Sequence, residues 1–369
     1  MTDDRMMTRF AGHTHAGHDT TPVMEVDGVP VTISVDSDAT LWVCDLLGGA
    51  CVSRRLDLDA AGPEDEWYYE VGEWDEEDDE EDVEAEAEEG DEDAIRPRCE
   101  VDAYEIASQL TVAHLDGRPV VVTGGGRFDL SGPELETMGG AVRVWDLRTG
   151  RKIGKTLTGH GLGVTSLTTV ATDLGLLAVS SSEEGELRAW NVTSGERVAA
   201  LQASYNGGMG AGLIAGRPIA VTGGHDDFVQ VWDLLSGEQL GQSLTGIKPA
   251  VRALATVEVE GRTVVAAGGD DHVLHLWDLK SGEPLGAPLT GHTQCIATMG
   301  TARIAGRAIA VTGSNDGTSR IWDLARGEQL GDPLPGHLQT VTELSGAPVA
   351  VTHARDAGIR VWDLTRAVR

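Results

Sequence analysis

Thr318-Ser319-Arg320-Ile321-Trp322-Asp323 closes a unit that recurs along the 369-residue chain. The last residue of each copy, or its replacement, falls at Asp146, Asn191, Asp233, Asp278, Asp323 and Asp363. The intervals are 45, 42, 45, 45 and 40 residues. A weaker copy lies upstream, where Leu41-Trp42-Val43-Cys44-Asp45-Leu46 lines up with Val142-Arg143-Val144-Trp145-Asp146-Leu147. Outward from Trp322, the preceding run Arg307-Ala308-Ile309-Ala310-Val311-Thr312 is apolar and β-branched, as a buried strand requires. Between the two runs, Gly313-Ser314-Asn315-Asp316-Gly317 supplies residues suited to a turn. Beyond Asp323, Gly327-Glu328-Gln329-Leu330-Gly331 turns into a further strand, and Pro335-Gly336-His337 opens the next unit.

A period of 40–45 residues, four short strands per unit and recurring Gly-His and Trp-Asp marks predict an all-β propeller. Seven units make one closed domain over residues 1–369, in place of the two or three domains that length alone suggests. In these marks the chain resembles the WD40-repeat family, over nearly all its length except one acidic segment. The last unit ends six residues after Asp363, too soon for an outer strand. Arg5–Phe10, spare at the N-terminus, is expected to supply it and close the ring, which removes two exposed sheet edges.

Two insertions break the period. Asp45 to Asp146 spans 101 residues. One insertion falls between blades 1 and 2, over residues 59–102. The other, read as a loop over 127–141, lies between the second and third strands of blade 2. The WD40 resemblance implies that both open on one face. Loops on a rigid scaffold are where such proteins carry function.

The net charge is −32, and Glu64–Asp93 alone holds 20 acidic residues and no Lys or Arg, leaving −12 elsewhere. Such a surface repels a nucleic-acid backbone, so no nucleic-acid partner is expected. No run of 18 apolar residues exists and no signal segment is visible, so no membrane partner is expected and a cytoplasmic location is. Four cysteines without CxxC spacing read as reduced thiols, Cys44 standing where other units have Trp. Four Lys against 24 Arg, with abundant Ala, Gly and Val, point to a high-GC bacterial genome.

The family resemblance implies a buried hydrogen-bonded set in each blade, made by the Gly-His histidine, a Ser/Thr, the turn Asp and the Trp. Blade 6 offers His292, Thr312, Asp316 and Trp322, and blade 7 offers His337, Thr352, Asp356 and Trp362. Blade 1 has His13, Ser34 and Asp38 but Cys44; blade 3 has His160, Ser180 and Trp190 with Glu184 for Asp. Blade 4 keeps Thr222, Asp226 and Trp232; blade 5 has Ile247 for His and Ala267 for Thr; blade 2 retains Thr123 and Trp145. Repetition around a ring marks these Ser/Thr-His-Asp sets as structural, with no catalytic residue among them. Blades 2 and 5 should be the least secured.

Other signals are weaker. His13, His15 and His18 resemble a chelating tract, but His13 is already the repeat histidine, and no metal or cofactor is expected. Gly207–Gly212 lacks dinucleotide spacing and falls on an inner strand. In the acidic segment, Trp67, Tyr68, Tyr69 and Trp74 form an aromatic cluster suited to anchoring a contact. By family analogy, partner contacts use the residue before the turn Asp (Ser37, Glu183, His225, Asp270, Asn315, Arg355) and residues flanking the inner-strand valine. The latter are Gly163 and Thr165, Ala250 and Arg252, Cys295 and Ala297, and Thr340 and Thr342. Arg252 and Arg355 are the candidate anchors among them.

These readings favour a non-enzymatic protein-interaction platform, an adaptor, sensor or regulatory subunit acting in trans. Its partner is another protein, met by the top face and the acidic aromatic loop; the loop is suited either to a basic surface on that protein or to folding back over the propeller's own Arg252 and Arg355 face. The alternatives are a small-ligand- or ion-binding sensor propeller and a propeller-type hydrolase or lyase.

Overall fold

The structure, a computed structural model, describes residues 6–10, 22–35, 40–46, 51–55, 103–129, 136–203, 208–224, 228–248, 250–354 and 358–366. Within its strands, the side chains at 6–10, 35, 40, 51–55, 103–108, 127–129 and 136–138 lie outside that description. The chain forms seven antiparallel sheets, the blades of a seven-bladed β-propeller. Among the described residues the one helical element is the 3-10 turn Leu364–Arg366, so no helix is long enough to cross a membrane.

Blade 1 comprises Val23–Val26, Val29–Val35, Thr40–Asp45 and Cys51–Arg55. Blade 2 comprises Ala103–Leu115, Arg118–Asp129, Glu136–Asp146 and Lys152–His160, and blade 3 Val164–Thr172, Gly175–Ser182, Glu186–Asn191 and Arg197–Gln202. Blade 4 runs Met209–Ile214, Arg217–Gly223, Phe228–Asp233 and the short Leu244–Thr245. Blade 5 has three strands, Val251–Val259, Arg262–Gly269 and Leu274–Asp278, its outer segment adding only the bridges Leu274↔Leu289 and Trp277↔Pro284. Blade 6 has Ile296–Ile304, Arg307–Ser314 and Thr318–Asp323, with an outer edge split into Glu328–Gln329 and Leu334–Pro335. Blade 7 has His337–Leu344, Ala347–Ala354 and Gly358–Asp363, and its outer strand is the N-terminal Met6–Phe10. That strand pairs Met6 with Trp362 and Phe10 with Ile359, so the ring closes through residues from both ends of the chain.

Period-2 alternation explains the core. Successive strand residues face opposite sides of a sheet, and in a propeller each side meets a different neighbour. Trp322 packs between blades 5 and 6, while the adjacent Ile321 packs between blades 6 and 7. The core is accordingly seven apolar layers, one at each blade junction. Cys44 fills the Trp position at the junction of blades 7 and 1 and is buried. It is held in a disulfide, which corrects the reading of all four cysteines as thiols. The residue opposite it in the strand pair is Cys51. Stable disulfides belong to oxidising compartments, so the cysteines no longer argue for the cytoplasm. Cys295 is a free thiol.

The aspartate of Trp-Asp has a local task. Asp323 Oδ1 accepts the backbone N–H groups of Ala325 and Arg326, at 3.1 and 3.2 Å. Asp233 and Asp278 make the same turn, and Asn191 does so with Thr193 and Ser194, since its amide oxygen serves equally well. On blade 4, the glycines of the inner strand let two backbones approach. A Cβ at Gly208 would lie 2.3 Å from the Arg252 carbonyl oxygen, and Gly208 N–H donates to Val251 O at 3.2 Å.

Blade 2 differs from the expectation for 127–141. Those residues are largely strand: Phe128 pairs with Thr137 and Asp129 with Glu136, leaving 130–135 outside the description. The inner strand is lengthened to match, with Ala103 opposite Asp129. The inserted residues therefore satisfy their backbone groups by extending the blade's own ladder into a three-stranded arm. Of the 59–102 insertion, the structure shows only the flanks, Arg55 at the end of one strand and Ala103 at the start of the next. The aromatic cluster Trp67, Tyr68, Tyr69 and Trp74 lies outside the described residues.

Candidate functional site

The Ser/Thr-His-Asp sets come first, since their residue types suit catalysis. In blade 6, His292 Nε2 bonds Thr312 Oγ1 at 2.8 Å and Nδ1 bonds Asp316 Oδ2 at 2.9 Å. Trp322 Nε1 donates to the same Thr312 hydroxyl at 2.8 Å. Thr312 is fully buried, so no substrate can reach that hydroxyl. Burial and the nearby Arg320 push the His292 pKa down against the pull of Asp316, whereas hydrogen bonds from Thr318, Thr293 and His292 hold Asp316 well below the usual carboxylate range. The set is thus a neutral histidine clasped between a hydroxyl and a carboxylate.

The other blades vary this clasp. Trp145 donates to Thr123 in blade 2 at 2.9 Å and Trp232 to Thr222 in blade 4 at 3.0 Å. In blade 3, His160 Nε2 meets Ser180 Oγ at 2.7 Å, but its carboxylate neighbour is Glu186, 3.5 Å from Nδ1, and not Glu184. Burial first, then Arg188, lowers the His160 pKa to about 4. In blade 7, Trp362 donates to Thr352, which donates in turn to the Pro335 carbonyl at 3.0 Å. His337 is exposed there, paired with His353 across the sheet. The sequence gap explains it: His292 precedes its hairpin glycine Gly306 by 14 residues, His337 precedes Gly346 by nine. The shorter segment places His337 in the strand itself. His13, Asp38, Asp226 and Asp356 lie outside the described residues, as do His15 and His18.

The two residue sets implied for partner contact meet at one face. The backbone N–H groups of Glu183, Asp270 and Asn315 donate to the carbonyls of Gly163, Ala250 and Cys295 at 3.2, 3.1 and 3.0 Å. Each pre-turn residue is thereby fixed beside the start of its own blade's inner strand. Blade 5 adds side chains: Arg252 binds Asp270 through Nε and Nη2 at 2.5 and 3.1 Å. This fork leaves the guanidinium about half exposed. Cys295, from the start of blade 6, joins the pair. Burial chiefly, then its hydrogen bond to Asp270, pushes the thiol up to about 12, despite Arg252. Arg252, Asp270 and Cys295 thus form a three-member polar cluster across the junction of blades 5 and 6. Asn315 is exposed next to it in the chain fold, while Ser37, His225 and Arg355 lie outside the described residues.

The sequence pattern named these positions but not their pairing, because residues 18 and 43 apart in the chain give no periodic signal. The blade 2 arm rises from the same face: inner strands begin there and second strands end there, as at Ala103 and Asp129. Blade 5 holds a further missed contact. His275, on the third strand, bonds Asp271 at 2.7 Å and stacks on Trp277 with centroids 5.5 Å apart.

Among solved structures, the chain is similar to the crystal structure of the computationally designed Ika8 protein, at 20% identity and a TM-score of 0.56. The match covers 97% of this chain and 99% of that one, and establishes the propeller fold alone. No known family's sequence pattern matches the chain, and no curated protein matches it.

Proposed function

We propose that this chain is a WD40-type propeller serving as a non-enzymatic protein-interaction platform, with the face carrying the blade 2 arm and the Arg252–Asp270–Cys295 cluster as its docking surface. The observation that carries this reading is that one face gathers the lengthened arm, the ends of the 59–102 insertion and the half-exposed guanidinium of Arg252. Arginine held by a carboxylate fork is pre-ordered for contact, and arginines are over-represented among interface anchors. The buried hydroxyls of Ser180 and Thr312 support a structural role for the histidine sets over a hydrolytic one.

The partner in this reading is a protein with a basic surface. It is steered by the carboxylates of 64–93 and held by Trp67, Tyr68, Tyr69 and Trp74, with Arg252, Asp270 and Asn315 contributing from the ring. The test compares proteins cross-linked to the intact chain in its host with those cross-linked to Arg252→Glu and to a chain lacking residues 64–93. Specific partners should be lost from one or both variants. The same partners at the same yield from all three would overturn the proposal.

A further inference from the structure

A cleft of about 540 Å³ opens between blades 5 and 6, away from the docking face. One wall is the outer segment of blade 5 around Leu285–Thr290; the other is Trp322 and the turn through Gly327 in blade 6. Its floor includes the buried side chains of Val264, Leu276, Trp322 and Leu324. The volume lies within the range of small-molecule sites, which pair apolar walls with a few placed polar groups. The local sequence explains why the cleft is open here. Blade 5 has Gly286-Ala287-Pro288 where blade 4 has Gly241-Gln242-Ser243 and blade 6 has Gly331-Asp332-Pro333, so small side chains border the gap.

The mouth carries Arg262 and Arg326, with Glu260 the one carboxylate beside them. Arg262 departs from its own repeat. Arg217 and Arg307, at the equivalent place in blades 4 and 6, fold back onto the aspartate of their blade's Trp-Asp, Asp233 and Asp323. Register makes Asp278 the matching aspartate in blade 5, since Val264 pairs with Asp278 as Ile219 does with Asp233. Arg262 nevertheless lines the cleft, exposed, with no ion-pair partner among the described residues, and Arg326 is likewise exposed and unpaired. In a chain of net charge −32, two unpaired guanidiniums against one carboxylate make this mouth a local cationic site.

We propose that the cleft binds a small organic anion with an apolar body, of the aryl or branched-chain carboxylate class. The body lies over the Leu276–Trp322 floor, and the carboxylate meets Arg262 and Arg326. A forked guanidinium matches a carboxylate in geometry and charge. The interaction does not depend on the docking face described above.

The test titrates the full chain with 1-naphthoate and with its uncharged analogue 1-naphthalenemethanol, followed by calorimetry. Naphthoate should bind once per chain with a Kd below about 1 mM, and the alcohol at least about 10-fold more weakly. Arg262→Gln and Arg326→Gln should each weaken naphthoate about 5- to 10-fold without changing the alcohol. Ala287→Leu, at an exposed wall position, should weaken both. All three sites are exposed, so the variants should keep the wild-type unfolding midpoint. The proposal falls if naphthoate does not saturate, if the alcohol binds equally well, or if neither arginine variant changes naphthoate binding.

Discussion

Blades 5 and 6 sit side by side, share one apolar layer, and tie their Trp in opposite ways. In blade 6, the clasp joins residues 20 to 24 apart: His292 before the inner strand, Thr312 at the end of the second, Asp316 in the turn. In blade 5, Ile247 and Ala267 have replaced histidine and threonine, both buried in the apolar layer shared with blade 4. Among the described residues, the histidine contacts of blade 5 are local: His275 bonds Asp271 four residues away and stacks on Trp277. The turn aspartate is present in both and faces an imidazole in each, His292 in blade 6 and His275 in blade 5. What blade 5 has lost is the cross-link between its entry segment and its second strand. The comparison teaches that apolar side chains can stand in for part of the polar clasp, whereas deleting one member of a buried clasp strands its partners at about 1–3 kcal/mol each.

The largest expected effect follows from Thr312. Thr312→Val keeps the shape but removes the acceptor of Trp322 and the partner of His292. It should destabilise the protein by about 2–4 kcal/mol, two groups being left unsatisfied. The converse change in blade 5, Ala267→Thr, should shift stability by less than about 1 kcal/mol. Denaturant unfolding of the two variants checks this. Equal costs would mean that the clasp contributes nothing beyond packing.

The aspartates give a narrower contrast. Asp316 accepts from His292, Thr293 and Thr318, while Asp271 accepts one bond from His275 and a long one from Val273. Asp316→Ala should cost about 1–3 kcal/mol and Asp271→Ala less than half of that. The reverse order in unfolding midpoints would show the local pair to be the stronger one.

How much of this was legible depends on whether the signal was periodic. The Trp-Asp interval and the missing outer strand in unit 7 named the fold and its N-terminal closure, because each blade must bury two faces and the ring must have no edge. The His292 clasp was readable for the same reason. His337 was not, since the motif Gly336-His337 is intact and only the distance to Gly346 reveals that the inner strand is short. Glu186 was missed in favour of Glu184 because Glu184 holds the turn position that the aspartate takes in other repeats, whereas the carboxylate that faces His160 opens the third strand, two residues on. The arm of blade 2 read as a loop over 127–141 because it breaks the period, although Gly140 and Ala141 pair with Gly126 and Gly125 and Thr137 pairs with Phe128. Cys44 opposite Cys51 is a matter of register, which sequence spacing alone does not reveal.

Histidine titration separates the blades by pH. His160 and His292 both have lowered pKa values, with burial as the main cause. A histidine that binds its proton less readily when folded contributes stability that is complete above the unfolded value of about 6.5 and is lost as pH falls below it. Asp316 acts in the same direction at lower pH, because its carboxylate is stabilised in the fold. Stability should therefore decline as pH falls from about 6.5 toward 4, and His160→Gln should flatten part of that decline. A variant with an unchanged slope would show that His160 does not carry it.

The smallest effect on stability, and the sharpest on chemistry, is expected at the polar link between the two blades. Cys295 begins blade 6 yet hydrogen-bonds Asp270 of blade 5, and burial together with that carboxylate raises its pKa to about 12. The thiolate is the reactive form, so at pH 8 the reactive fraction lies well below that of an ordinary exposed thiol. Iodoacetamide should label the peptide containing Cys295 correspondingly slowly. Mass spectrometry of that peptide distinguishes it from the three other cysteines, of which Cys44 is in a disulfide. Asp270→Asn removes the negative charge but leaves Arg252 nearby, so labelling should accelerate at least about 10-fold. The unfolding midpoint should hardly move, because the Arg252–Asp270 pair is partly exposed and such pairs contribute about 0–1 kcal/mol. Unchanged labelling in Asp270→Asn would mean that burial alone suppresses the thiol, and that the cluster does not join blade 5 to blade 6.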